Sequence, residues 1–120
     1  MKIEDLTVFK KSHKLVLDIY RITNGYPNEE KFGLTAQMRR SSSSIPTNIM
    51  EGSGRSGTKE FIHFIGIALG SCKEIEYQLL LSKDLGYLSK NEYEELKNKY
   101  NEIGKMLYSL RESLKDKSIT

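Results

Sequence analysis

Ser44-Ile45-Pro46-Thr47-Asn48-Ile49-Met50-Glu51-Gly52 carries a proline inside a helical pattern. Interior proline removes a backbone donor, crowds the preceding turn and costs about 3 kcal/mol. It also pushes the residue before it, here Ile45, away from helical torsions. Yet the apolar positions Leu34, Met38, Ile45 and Ile49 keep helical spacing across it. Gln37, Ser41, Ser44, Asn48, Glu51 and Arg55 form a second stripe that borders the apolar one rather than opposing it. The stretch reads as the interior of one helix, from about Leu34 to Gly52, bent at Pro46. Its polar border is either half-buried at a helix–helix or subunit seam, or a solvated face beside a local kink.

Three further helices follow from periodicity. Upstream, Leu6, Phe9, His13, Val16 and Tyr20 keep 3-4 spacing in a helix from about Asp5 to Asn24, with Asp5 as its cap and Asn24-Gly25 and Pro27 as its stop. His13 falls on that apolar seam and is expected as a hydrogen-bonded structural histidine. Downstream, a helix from about Thr58 to Leu85 ends at Gly86 as its C′ residue. Its apolar positions, Phe61 to Leu79, cover about 160°, against roughly 100° for an ordinary surface helix. That excess predicts burial on more than one side, with a subunit interface as the outlet. The last helix has Tyr93, Leu96, Tyr100, Ile103, Leu107, Leu110 and Leu114 in unbroken 3-4 alternation, behind a Ser89-Lys90-Asn91-Glu92 capping box. Short connections between long helices predict an all-α, up-down-up-down antiparallel four-helix bundle, one domain over residues 1–120.

Composition agrees with a soluble helical protein: 38% hydrophobic and 29% charged residues in 120. A single cysteine, Cys72, excludes an internal disulfide framework and sits on an apolar stripe as a buried thiol. With no apolar stretch of signal-peptide or membrane-spanning length, a cytoplasmic setting is expected. The net charge of +3 comes from the first sixty residues, which hold 10 Lys+Arg against 7 Asp+Glu, while the second sixty balance at 9 and 9. Lys10, Lys11, Lys14, Arg39 and Arg40 hold the excess and are the candidate nucleic-acid contacts, able to meet phosphates with little sequence preference.

Motifs for catalysis or cofactors do not assemble. Gly52-Ser53-Gly54-Arg55-Ser56-Gly57 matches G-x-G-x-x-G but follows a helix and belongs to no βαβ unit. It reads as a flexible turn, with Arg55 and Lys59 near the start of the next helix. Glu60-Phe61-Ile62-His63 is a lone Glu-x-x-His, where a di-iron bundle needs two such motifs and two more glutamates. Two histidines and one cysteine give no zinc spacing. No metal, cofactor or catalytic residue is expected, so the chain reads as a non-enzyme.

With the helices placed, the chain resembles the 23S rRNA intervening-sequence protein family. Leu34-Thr35-Ala36-Gln37-Met38-Arg39-Arg40, the Pro46-x-Asn48-Ile49-x-Glu51-Gly52 core, Arg55, and Ile67-Ala68-Leu69-Gly70-Ser71-Cys72-Lys73-Glu74 carry the resemblance. It implies a homopentamer of four-helix bundles around a central channel. It also implies similarity to the accessory variability determinant of diversity-generating retroelements, a more basic pentamer that binds nucleic acid and a reverse transcriptase. The expected partners are therefore other copies of this chain, with RNA or a reverse-transcriptase-like protein beyond them. Arg40, Asn48, Glu51, Arg55 and Glu74 are expected in a structural or interface polar network near the kink. The alternative is an oligomeric protein scaffold with no nucleic-acid ligand.

Overall fold

The computed structural model describes residues 2–119. A short 3-10 turn, Ile3–Asp5, leads into α1 (Thr7–Thr23). A second, Asn28–Glu30, precedes α2 (Leu34–Ser53), followed by α3 (Thr58–Asp84) and α4 (Lys90–Ile119). Each helix packs against the next, and α1 meets α4 to close the ring, so the four helices form an antiparallel bundle. The 30 residues of α4 set the long axis of a 50 × 23 × 21 Å molecule.

The α4 repeat does what its spacing dictates. Tyr93, Leu96, Tyr100, Ile103 and Leu107 are buried, and Leu110 and Leu114 pack against the core from its rim. They meet Ile65, Ala68, Cys72, Ile75 and Leu79 of α3, Met38, Ile45 and Ile49 of α2, and Leu15 and Ile19 of α1 in one cluster. Burying each large apolar side chain contributes roughly 1.5–3 kcal/mol.

The turns are closed by local chemistry. Glu92 N–H donates to Ser89 Oγ at 3.0 Å and Ser89 N–H to Glu92 Oε1 at 2.9 Å, a reciprocal capping box. Gly86 takes φ +83°, and Tyr87 N–H donates to Ser82 O at 2.8 Å while Gly86 N–H donates to Lys83 O at 3.0 Å, which satisfies the last carbonyls of α3. Glu30 joins two loops at that end. Its carboxylate accepts from Leu34 N–H at 3.2 Å and from Tyr87 Oη at 3.0 Å. The hydrogen bond to Glu30 pushes the Tyr87 phenol up from its ordinary pKa.

Two expectations for α1 differ. Asp5 lies in the 3-10 turn and caps nothing; α1 begins after Leu6, without a side-chain cap. His13 is exposed, not buried in the seam, and stacks on Phe9 at 6.4 Å between centroids. At position 13 the 3-4 pattern has drifted to the outer side of the helix, and Ser12 takes the inward place.

α2 runs as one helix through a buried Pro46. Two residues along, Asn48 Nδ2 donates to Ser44 O at 2.7 Å and to Ser44 Oγ at 2.9 Å, side-chain hydrogen bonds that span the proline. At the far end of α2, Gly52 lets α3 come close: a Cβ there would lie 2.7 Å from Phe64 Cβ and 3.0 Å from Phe61 Cδ1.

Candidate functional site

The five amino-terminal cations do not converge. Arg39 is a structural clamp. Its Nε donates to Thr23 Oγ1 at 3.0 Å, its Nη2 donates to Asn24 Oδ1 at 3.1 Å and Tyr20 O at 3.4 Å, and its guanidinium lies 4.5 Å from the Tyr20 ring centroid. It holds the carboxyl end of α1, where a cation also meets the helix dipole favourably. Lys11 is paired with Glu102 of α4 at 2.7 Å. Lys10 and Lys14 are exposed on the outer side of α1. Arg40, one residue beyond the clamp and about 100° further round the helix, is exposed and makes no ion pair among the described residues.

The polar border of α2 faces α3. Ser71 Oγ donates to Ser44 Oγ at 2.8 Å, so Ser44 and Asn48 are part of a hydrogen-bonded seam between the two helices. Glu51 and Arg55 lie further along, joined at 2.6 Å, and Arg55 sits 5.2 Å from the Phe64 ring centroid. Both are half exposed. Glu74 does not join them. It stands one turn beyond Ser71, level with Arg40, which stands one turn before Ser44 in the antiparallel helix. The predicted network is therefore divided along the seam into Asn48 with Ser44 and Ser71, the Glu51–Arg55 pair, and two exposed, unpaired charges, Arg40 and Glu74. Near those two charges, Ser41 Oγ and Gln78 Oε1 are buried with no protein partner in the protomer.

Most of the wide apolar arc of α3 is absorbed in the bundle, but its outer side is not. Ile67 is 40% exposed, Tyr77 62% and Leu85 49%, on the same side as Glu74. Gly66 and Gly70 lie on the outward side of the same helix, and a Cβ on either would meet nothing within 4 Å.

A second concentration of charge escaped sequence reading. Lys73 of α3 and Lys105 and Arg111 of α4 line a groove of about 450 Å³ between those helices, with Tyr108 on its wall. Lys73 is 32 or more positions from Lys105 and Arg111, and no local spacing connects the contributions of the two helices. Cys72 is also part of this wall. Burial pushes its thiol up to about 12, and the charge of Glu76 acts in the same direction, which makes it a poor nucleophile. Among the described residues no cluster of His, Cys, Asp and Glu could hold a metal ion, and no helix is long and apolar enough to cross a membrane.

Comparison with known proteins agrees with this architecture. No curated protein matches the chain. A crystal structure from Bacteroides thetaiotaomicron VPI-5482, described as a protein with unknown function from the S23 ribosomal protein family, superposes with a TM-score of 0.81 at 33% identity, covering 88% of this chain and 95% of that one. The sequence profile described as 23S rRNA-intervening sequence protein matches residues 4–109. With its helical signatures in place over nearly the whole length, the chain belongs to the 23S rRNA-intervening sequence protein family.

Proposed function

We propose that this protein is a non-catalytic homo-oligomer that binds RNA or a ribonucleoprotein partner. The observation that carries self-association is the outer side of α3. Ile67, Tyr77 and Leu85 stay exposed beside two glycines that let another helix approach. Arg40 and Glu74, exposed, of opposite charge and unpaired within the protomer, flank it. Five copies is the number that the family resemblance implies. Light scattering at micromolar concentration should give a mass several times 13.8 kDa; a monodisperse monomer overturns the reading.

RNA binding rests on the excess of cations and on the gain from repeated weak contacts in an oligomer. The family's name records a genomic association with rRNA and does not identify a ligand. A scaffold that binds only protein is the second reading. It is favoured by the dispersal of the amino-terminal cations, two of which, Lys11 and Arg39, are already engaged inside the protomer. Titration of labelled RNA at low and moderate salt separates the two readings: a nucleic-acid binder loses affinity steeply as salt rises, and a protein scaffold binds at neither.

A further inference from the structure

We infer that the groove between α3 and α4 binds single-stranded nucleic acid, with Lys73, Lys105 and Arg111 on the phosphates and Tyr108 against a base. This rests on the nucleic-acid reading above and moves the contact away from α1 and α2.

Three cations of two helices line one groove of about 450 Å³. One carboxylate in it, Glu76, approaches Lys73 at 3.5 Å. Lys105 and Arg111 make no ion pair with any described residue. Arg111 Nε is a buried donor without a protein partner. A guanidinium that lines a groove without a carboxylate partner suits an anionic oxygen. Its carbon lies 5.4 Å from the Tyr108 ring centroid, so the ring is flanked on one side by a cation while 53% of the residue stays exposed. Aromatic faces beside cations that follow a backbone are the working parts of single-strand binding surfaces.

Gly104 keeps the groove open. It lies in its lining, and a Cβ there would meet nothing within 4 Å. From Asn101 to Arg111 the lining on α4 rises about 15 Å, room for a short stretch of extended strand. The apolar wall of Leu69 and Cys72 lies between the cations and suits a base more than it suits a free inorganic anion.

The test is fluorescence anisotropy of labelled oligouridylate with the full chain at low salt. Lys105→Gln/Arg111→Gln should weaken binding at least tenfold and lower the slope of log affinity against log salt by about 1.4, the loss of two phosphate contacts on a single strand. Tyr108→Ala should weaken it about tenfold through lost stacking. Gly104→Leu fills the groove and leaves every charge in place; it should weaken binding comparably with the helical signal and oligomer mass unchanged. Lys10→Gln/Lys14→Gln should change affinity less than threefold. If the wild-type chain binds and the groove variants bind as tightly, the groove assignment is wrong while nucleic-acid binding stands. If the wild-type chain binds no oligouridylate at tens of micromolar, both are wrong. Equal binding of an oligoglutamate with the same sensitivity to the variants overturns the assignment to nucleic acid, leaving a general polyanion groove.

Discussion

Gly52 and Gly104 are both helical glycines, and the same substitution should act on them with opposite sign. Alanine is favoured over glycine in a helix interior by about 1 kcal/mol. At Gly104 nothing opposes that preference, since a Cβ has open space, and Gly104→Ala should raise stability by about 0.5–1 kcal/mol. At Gly52 a Cβ would meet Phe64 Cβ at 2.7 Å, and both atoms are fixed close to a backbone. Gly52→Ala should therefore cost about 1–3 kcal/mol net by forcing α2 and α3 apart. Urea denaturation of the two variants reads the difference; a stabilised Gly52→Ala would show that the two helices do not pack this closely. Cys72 gives a second check. Its thiol is raised from 9.0 to about 12 by burial and the charge of Glu76. The raised value in the folded state means that the thiol favours folding below about pH 9 and that this contribution is lost as pH rises toward 12. Iodoacetamide at pH 8 should modify the native chain far more slowly than the urea-unfolded chain, and equal rates would place the thiol at the surface.

Among the helices, what the sequence reveals is what lies within one or two turns. The α4 alternation, the Ser89–Glu92 box and the Gly86 stop depend on neighbours along the chain, and each is found as read. The start of α1 and the position of His13 differ from expectation because Leu6, Phe9 and Val16 lie on a broad face whose phase a few apolar residues do not settle. The role of Arg39 was out of reach for another reason: Tyr20, Thr23 and Asn24 are 15–19 residues away, and only the turn back of α2 along α1 brings them together. Arg39 and Arg40 look alike as a basic pair, but neighbouring residues on a helix leave at about 100° to each other. One clamps α1 and the other faces outward. Arg39→Ala should thus cost about 1–2 kcal/mol in stability through Thr23 and Tyr20, and Arg39→Lys should restore little, because a single ammonium does not reproduce the fork. Arg40→Ala should leave monomer-level stability nearly unchanged. Thermal melts of the three variants test this, and equal melting temperatures for Arg39→Ala and wild type would remove the clamp.

For the whole molecule, the charges left over in the protomer are more informative than those already paired. The Glu51–Arg55 pair is an exposed contact between residues four apart on one helix, a type worth about 0.3–0.5 kcal/mol, and it needs no partner chain. Arg40 and Glu74 differ. The Ser44–Ser71 hydrogen bond sets the register of α2 against α3, and one turn along it both charges stand at the same level beside the exposed Tyr77, with the exposed Ile67 two turns back on α3. A surface with one cation and one anion next to apolar residues is complementary to another copy of itself. Under the proposed self-association, Arg40 of one copy is expected to meet Glu74 of another. Reversing either charge alone places like charges in contact across the interface, and reversing both restores attraction. Arg40→Glu and Glu74→Arg should each lower the mass seen by light scattering toward 13.8 kDa at micromolar concentration, and the double variant should recover the assembly, at least in part. Neither single change should alter the helical signal, because both side chains are exposed in the protomer. Ile67→Asp supplies the independent arm: it should dissociate the oligomer in the wild-type and the double-reversed background alike. If the single reversals leave the mass unchanged while Ile67→Asp dissociates it, the apolar strip is the interface and the pairing of Arg40 with Glu74 is wrong. If all three leave the oligomer intact, the copies meet through a different face of the bundle.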